Sequence, residues 1–162
     1  MSLDLRVGQG WDIHALVPGR ALRLGGVLVP YPLGLAGHSD ADVLLHAITD
    51  ALLGAAALGD IGSFYPDDDE RWRGADSRVL LREVMHKIRA AGFELINVDT
   101  TVLAEAPRLR PLIQPMREAV AVALELTVDR VSIKAKTSEK FDAVGRGQAI
   151  AAQAVVLLHR LT

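Results

Sequence analysis

The chain has 162 residues, half of them hydrophobic and only 4% aromatic, with 18 Lys plus Arg against 20 Asp plus Glu and a formal net charge of -2. Near charge balance argues against nucleic acid as a partner, the apolar content argues against disorder, and the length suits one compact domain. Cysteine is absent, which excludes disulfides, thiolate zinc sites and cysteine nucleophiles and leaves any metal to His, Asp or Glu.

Loose alternation from Leu3 to Ile13 predicts a strand ending in Asp12 and His14. Arg20 to Pro30 predicts a hairpin around Gly25-Gly26. Ser39-Asp40-Ala41-Asp42 reads as a capping box, and the apolar spacing after it predicts a helix from about Asp40 to Leu58. Gly59 to Gly74 is acidic and turn-rich and reads as a long loop, a kind of segment that is either functional or disordered. A second helix is predicted over Ser77 to Ala91, closed by Gly92, then a strand over Phe93 to Ala104, a helix over Pro111 to Leu124 and a strand over Val131 to Ala135.

The last segment, Ala149 to Leu161, leaves two assignments open: its alanines suit a helix, whereas the run Ala154 to Leu158 suits a buried strand. Strands interleaved with helices predict an α/β sandwich as a single domain over residues 1–162, without internal repeat or linker. No apolar core of a secretory signal opens the sequence and no apolar run nears the roughly 20 residues of a membrane span, so the expected location is the cytoplasm, with no membrane partner. The surplus of Ala, Val and Leu suggests a buried oligomer surface.

Asp12 and His14 stand two apart on the predicted strand, so both side chains leave one face. With one distant histidine they form a three-ligand set for zinc that keeps a fourth position open. His46 is the distant candidate, on an apolar helix where Asp42 and Asp50 share its face and are costly to bury unless paired or ligating. The alternative is that Asp12 caps a turn and the histidines are ordinary core or surface residues. His38-Ser39 before a helix start offers an anion site or simple capping. Lys136-Thr137-Ser138-Glu139 after a strand groups a cation, hydroxyls and a carboxylate suited to phosphate and magnesium, or forms an ordinary polar turn.

These residues coincide with a known pattern. Gly10-Trp11-Asp12-Ile13-His14, the stretch from Gly37 to Gly62, Gly74-Ala75-Asp76-Ser77-Arg78, Ala104-Glu105-Ala106-Pro107-Arg108-Leu109-Arg110-Pro111 and Lys134 to Lys140 occur in order and at the expected spacing. Over Arg6 to about Leu161 the chain resembles the 2-C-methyl-D-erythritol 2,4-cyclodiphosphate synthase family of the non-mevalonate isoprenoid pathway.

The resemblance implies a ferredoxin-like α+β sandwich, a mixed sheet with helices on one face, assembled as a homotrimer around a sheet-lined axis with active sites at subunit interfaces. It implies zinc on Asp12, His14 and His46, magnesium or manganese on Glu139, and His38 and Thr137 as transition-state stabilisers. His38 and Ser39 match the contact with the phosphorylated methylerythritol, Asp60, Ile61 and Gly62 the ribose segment, and Tyr65, Pro66, Asp67, Asp68 and Asp69 a substrate-binding loop. Ala104, Glu105, Ala106, Pro107, Arg108, Leu109 and Arg110 match the cytosine pocket, and Lys136, Thr137, Ser138 and Glu139 the diphosphate segment. Asp142 to Arg146 keeps Arg146 but has Ala143 where the family's Gly-Phe-Thr-Gly-Arg pattern has an aromatic, a departure beside the axial cavity that bears on isoprenoid diphosphate binding there. The activity implied is cyclisation of a cytidine-diphosphate-linked substrate with release of CMP. A zinc phosphodiesterase or a trimeric metal- and nucleotide-binding module without turnover are the rival readings.

Overall fold

The computed structural model describes residues 4–161. Leu3, the first residue of the predicted opening strand, lies outside them. Among the described residues seven strands are formed: β1 (Leu5–Pro18), β2 (Leu22–Leu24), β3 (Val27–Val29), β4 (Leu33–Leu35), β5 (Phe93–Leu103), β6 (Val131–Lys136) and β7 (Ala149–Arg160). The helices are α1 (Val43–Ala55), α2 (Ile61–Phe64), α3 (Ser77–Ala90), α4 (Ile113–Leu124) and α5 (Asp142–Gly145).

Five strands make a mixed sheet in the order β4-β1-β7-β5-β6, with β5 and β6 parallel and the other pairs antiparallel; β2 and β3 form a separate hairpin. The ambiguous last segment is therefore the central strand. Ile150, Ala152, Ala154, Val156 and Leu158 alternate into the core, while Gln153 and Val155 face the other way and are exposed, the period-2 pattern of a strand with two unlike faces. Its alanines leave room for the helix above it, which is why composition alone pointed to helix.

Helix α1 is apolar nearly all round because it is enclosed: it lies on β1 and β7 and is covered by α3. Helix α3 has a single apolar stripe, Leu80, Leu81, Val84, Met85 and Ile88, and exposes Arg82, Glu83, His86 and Lys87. The opposite sheet face carries exposed apolar side chains, among them Val7 at 70% and Trp11 at 55% exposure. Among the described residues no helix is long and apolar enough to cross a membrane.

Three local expectations are corrected. The cap of α1 is Asp42, whose carboxylate accepts from Leu45 N; Ala41 is left-handed (φ 58), so the chain cannot be helical from Asp40, and Ser39 Oγ accepts from Ala41 N instead. At the other end Ala57 is left-handed (φ 57) and Leu58 N donates back to Leu53 O, closing the helix at Ala55 rather than Leu58. The loop from Gly59 to Gly74 contains the single turn α2 and a short 3-10 turn, Glu70–Trp72. Strand β4 and helix α5 lacked a periodic signal because each is under one heptad long.

Candidate metal centre

The site begins with two glycines. Gly8 and Gly10 sit on the same face of β1 as Asp12 and His14, and a Cβ at either would collide with a carbonyl of α1, that of Ala51 for Gly8 and of Ala47 for Gly10. Without side chains there, α1 packs directly on the strand backbone. His46, the residue before Ala47, is thereby brought against Asp12 and His14 within β1.

Asp12 Oδ2 lies 2.9 Å from His14 Nε2 and 3.0 Å from His46 Nδ1, and the two ring nitrogens are 3.3 Å apart. One ligand atom from each residue falls within 4.8 Å of the other two. One carboxylate oxygen and two imidazole nitrogens converging at a partly open surface are a donor set that fits zinc with a coordination position left for substrate. Burial alone raises the Asp12 carboxyl, but hydrogen bonds from His14 and His46 overcome it and hold the group well below the usual carboxylate range. Burial likewise lowers His14, and the Asp12 carboxylate more than reverses this. Each imidazole has an orienting partner. His14 Nδ1 is 2.5 Å from the Ala36 carbonyl, which makes Nδ1 the donor and turns Nε2 toward Asp12.

A cavity of about 220 Å³ opens beside the cluster. His38, Ser39, Ile61, Gly62, Tyr65 and Asp67 line it, as do Asp50 and Trp72, which sequence reasoning had not assigned to the site. Asp50 shares the helix face of His46; its carboxylate accepts from Ile61 N at 2.7 Å, and burial pushes its pKa up. Asp42, from the same stripe, is fully buried and takes N–H groups of Gly25, Gly26 and Leu45, so it is a structural anchor rather than a ligand.

The remaining expected contacts fall in different surroundings. Asp60 caps α2 through Ser63. The His38 ring meets the Asp69 carbonyl at 2.9 Å, while the Asp69 carboxylate pairs with Arg71. Tyr65 packs edge-on against Trp72 at 4.9 Å and donates to Glu83; burial, then that carboxylate, raises its phenol. Pro66 and Asp68 do not line the cavity.

Ala104 to Arg110 and Lys136 to Glu139 do not line it either, but they lie beside each other at the C-terminal ends of the parallel strands β5 and β6, where Ala104 N donates to Lys136 O. Thr137 Oγ1 donates to Glu139 Oε1 at 2.9 Å. Ala151 of β7 pairs with Ile13 on one side and Leu103 on the other, so the two groups of residues share one end of the sheet, two strands or about 10 Å apart. A second, more apolar cavity of about 200 Å³ lies there, lined by Trp11, Leu103, Ser138 and Ala143 among others. Arg146 reaches Gln148 at 3.2 Å.

The model of the YgbB family matches residues 5–159. The chain is 61% identical over 156 residues to the 2-C-methyl-D-erythritol 2,4-cyclodiphosphate synthase of Laribacter hongkongensis, covering 96% of each. It is 63% identical over 159 residues to the bifunctional enzyme IspD/IspF of Albidiferax ferrireducens, where it covers 98% of this chain but spans only 38% of the relative. A solved 2C-methyl-D-erythritol-2,4-cyclodiphosphate synthase in a CDP-bound form superposes with a TM-score of 0.87 at 42% identity, over 94% of this chain and 99% of that one.

Proposed function

Because the chain belongs to the YgbB family, we propose that it converts 4-diphosphocytidyl-2-C-methyl-D-erythritol 2-phosphate into 2-C-methyl-D-erythritol 2,4-cyclodiphosphate and CMP, a phosphorus–oxygen lyase step of the non-mevalonate isoprenoid route. The observation that carries this reading is the convergence of Asp12, His14 and His46 beside the cavity, in a chain that resembles synthases over nearly its whole length.

In this reaction an oxygen of the 2-phosphate attacks the β-phosphorus while the bond to the α-phosphate oxygen breaks, so CMP leaves and the ring closes. The nucleophile is already ionised, and the protein's task is to hold mutually repelling phosphates in line and to meet the developing charge. Asp12, His14 and His46 would hold zinc and Glu139 magnesium or manganese, and these ions would supply Lewis-acid charge neutralisation. His38 and Ser39 hold the methylerythritol phosphate; His38 and Thr137 donate hydrogen bonds to the phosphoryl oxygens. Asp60, Ile61 and Gly62 hold the ribose, residues 65–69 border the bound substrate, Lys136 and Ser138 act on the phosphates, and Ala143 and Arg146 border the axial cavity. Residues 104–110 take the cytosine; that the substrate carries a cytidine diphosphate is supported by the CDP-bound form of the similar synthase.

The active unit is a homotrimer of single-domain, ferredoxin-like chains whose sites lie between subunits, working in the cytoplasm. Support comes from the exposed Val7, Trp11 and Val155 on the sheet face opposite α1, which an axial contact would bury, and from the division of the functional residues into two groups on one chain. Residues 104–110 and 136–139 of one subunit then complete the metal site of the next.

The reaction is tested by supplying the diphosphocytidyl substrate and magnesium to the purified protein. CMP and a cyclic diphosphate seen by phosphorus NMR are expected. Linear hydrolysis products would replace the reading with a phosphodiesterase, and absence of turnover with a binding module.

A further inference from the structure

The two histidines of the metal centre are oriented by different means. His14 is held by a backbone carbonyl, whereas the Nε2 of His46 faces side chains: Ser77 Oγ at 3.0 Å and, more distantly, Ser39 Oγ at 3.3 Å. Ser77 comes from the first turn of α3, is 1% exposed, and its hydroxyl lies 2.5 Å from Asp40 Oδ1. Asp40 is fixed in turn: its second oxygen accepts from Ser77 N at 3.2 Å, and its own N–H donates to Ala75 O at 3.0 Å.

The proton positions in this chain follow from what each group can donate. A carboxylate has no proton to give, so the single hydroxyl proton of Ser77 points to Asp40. The Ser77 oxygen then presents a lone pair to His46, and the ring must carry its proton on Nε2. That leaves Nδ1, which donates to Asp12 Oδ2 at 3.0 Å, as the nitrogen that gives up its proton to take a metal while Nε2 keeps its own. Had Ser77 been the donor to His46, the ring's last proton would sit on Nδ1 and block it.

We propose that Ser77 and Asp40 are positioning residues that lock His46 in its metal-ligating tautomer and ring orientation, so that α3 and the turn before α1 set the metal affinity of a site they do not themselves ligate. The proposal rests on the metal-binding reading of Asp12, His14 and His46. It gives Ser77, which lies outside the three-ligand pattern, a role in the chemistry, and it explains why a buried hydroxyl and a partly buried carboxylate are spent on each other at this point of the fold.

The test uses metal-stripped full-length protein, with zinc affinity measured by chelator competition, the absorption spectrum of the cobalt(II) form, and the melting temperature of the metal-free protein. Ser77→Ala and Asp40→Asn are each expected to weaken zinc binding by about 10- to 100-fold and to alter the cobalt spectrum, the second because it turns one of the two oxygens that accept from Ser77 into a donor. The double variant should bind no more weakly than the poorer single one, since both act through one chain of hydrogen bonds. A purely structural role would instead lower the metal-free melting temperature and leave affinity unchanged in whatever fraction is folded. Zinc affinity within twofold of the parent in folded Ser77→Ala or Asp40→Asn, or losses that simply add, would overturn the proposal. Failure of the parent itself to take up zinc or cobalt would overturn the metal reading, and this inference with it.

Discussion

Gly10 of β1 and Ala47 of α1 approach so closely that a single added carbon on Gly10 would overlap the Ala47 carbonyl. The obstructing atoms are backbone, so a side chain cannot swing aside to make space. Gly10→Ala therefore has to lift α1 from the sheet. We expect a loss of about 3 kcal/mol in chemical denaturation, at the upper end of overpacking costs, and weaker zinc uptake even in the folded fraction, because His46 rides on the same helix. Parental stability with parental zinc content would show that α1 can shift without consequence.

Removing a metal ligand should separate binding from folding. His46→Ala takes away one of three donors in a partly open site, and zinc content is expected to fall from about one per chain to background, while the mass in solution stays that of the parent. Elemental analysis alongside light scattering decides it. Full zinc retention would show that His46 is not a ligand.

Asp42 is the most deeply buried charge of the first half of the chain, and it joins the Gly25-Gly26 turn to the start of α1. Asp42→Ala strands three N–H donors at 0% exposure of the parent residue, and at about 1 kcal/mol or more for each unpaired donor the expected loss is about 3 kcal/mol. Urea unfolding measures it; a change under about 1 kcal/mol would mean that water replaces the carboxylate.

The acid dependence of stability has a part that can be isolated at Asp76. Its hydrogen bond with Arg78 holds the carboxyl below its ordinary 3.8. A depressed folded-state value means that this contribution is present above 3.8 and is lost as pH falls through the lowered value. Asp76→Asn keeps a capping side chain and removes the charge. Since the pair is partly exposed, the parent should be more stable by only about 0.5 kcal/mol near neutral pH, and the difference should vanish in acid. A gap that grows as pH falls would contradict the assignment.

If two groups of residues on one chain serve two different sites, defective subunits should complement one another. Asp12→Asn and Glu139→Gln chains are each expected to be inactive alone. Randomly mixed trimers should recover about a quarter of parental activity, because an intact site needs an unaltered residue from each of two neighbours. Co-expression followed by the CMP-release assay tests this, and no recovery would mean that each chain builds its whole site.

The sequence by itself determined the donor chemistry and the local elements. Without cysteine only His, Asp and Glu could ligate, and Asp12 and His14 share a strand face by simple period-2 geometry. The hairpin at Gly25-Gly26, the helices α1, α3 and α4 and the strands β5 and β6 were legible because each carries a periodic apolar pattern or a turn signal within its own length. Tertiary structure decided what depends on contacts between distant segments. Ala149 to Arg160 became the central strand because β1 and β5 supply its hydrogen bonds on both sides, a fact that its own alanines cannot encode. Asp42 and Asp50 look alike beside His46 on the helix, yet one is an anchor and the other borders the cavity, according to what packs against each. Ser77 had no signal of a role at His46 at all: thirty-one residues separate them, and only the packing of α3 on α1 makes the two polar atoms meet.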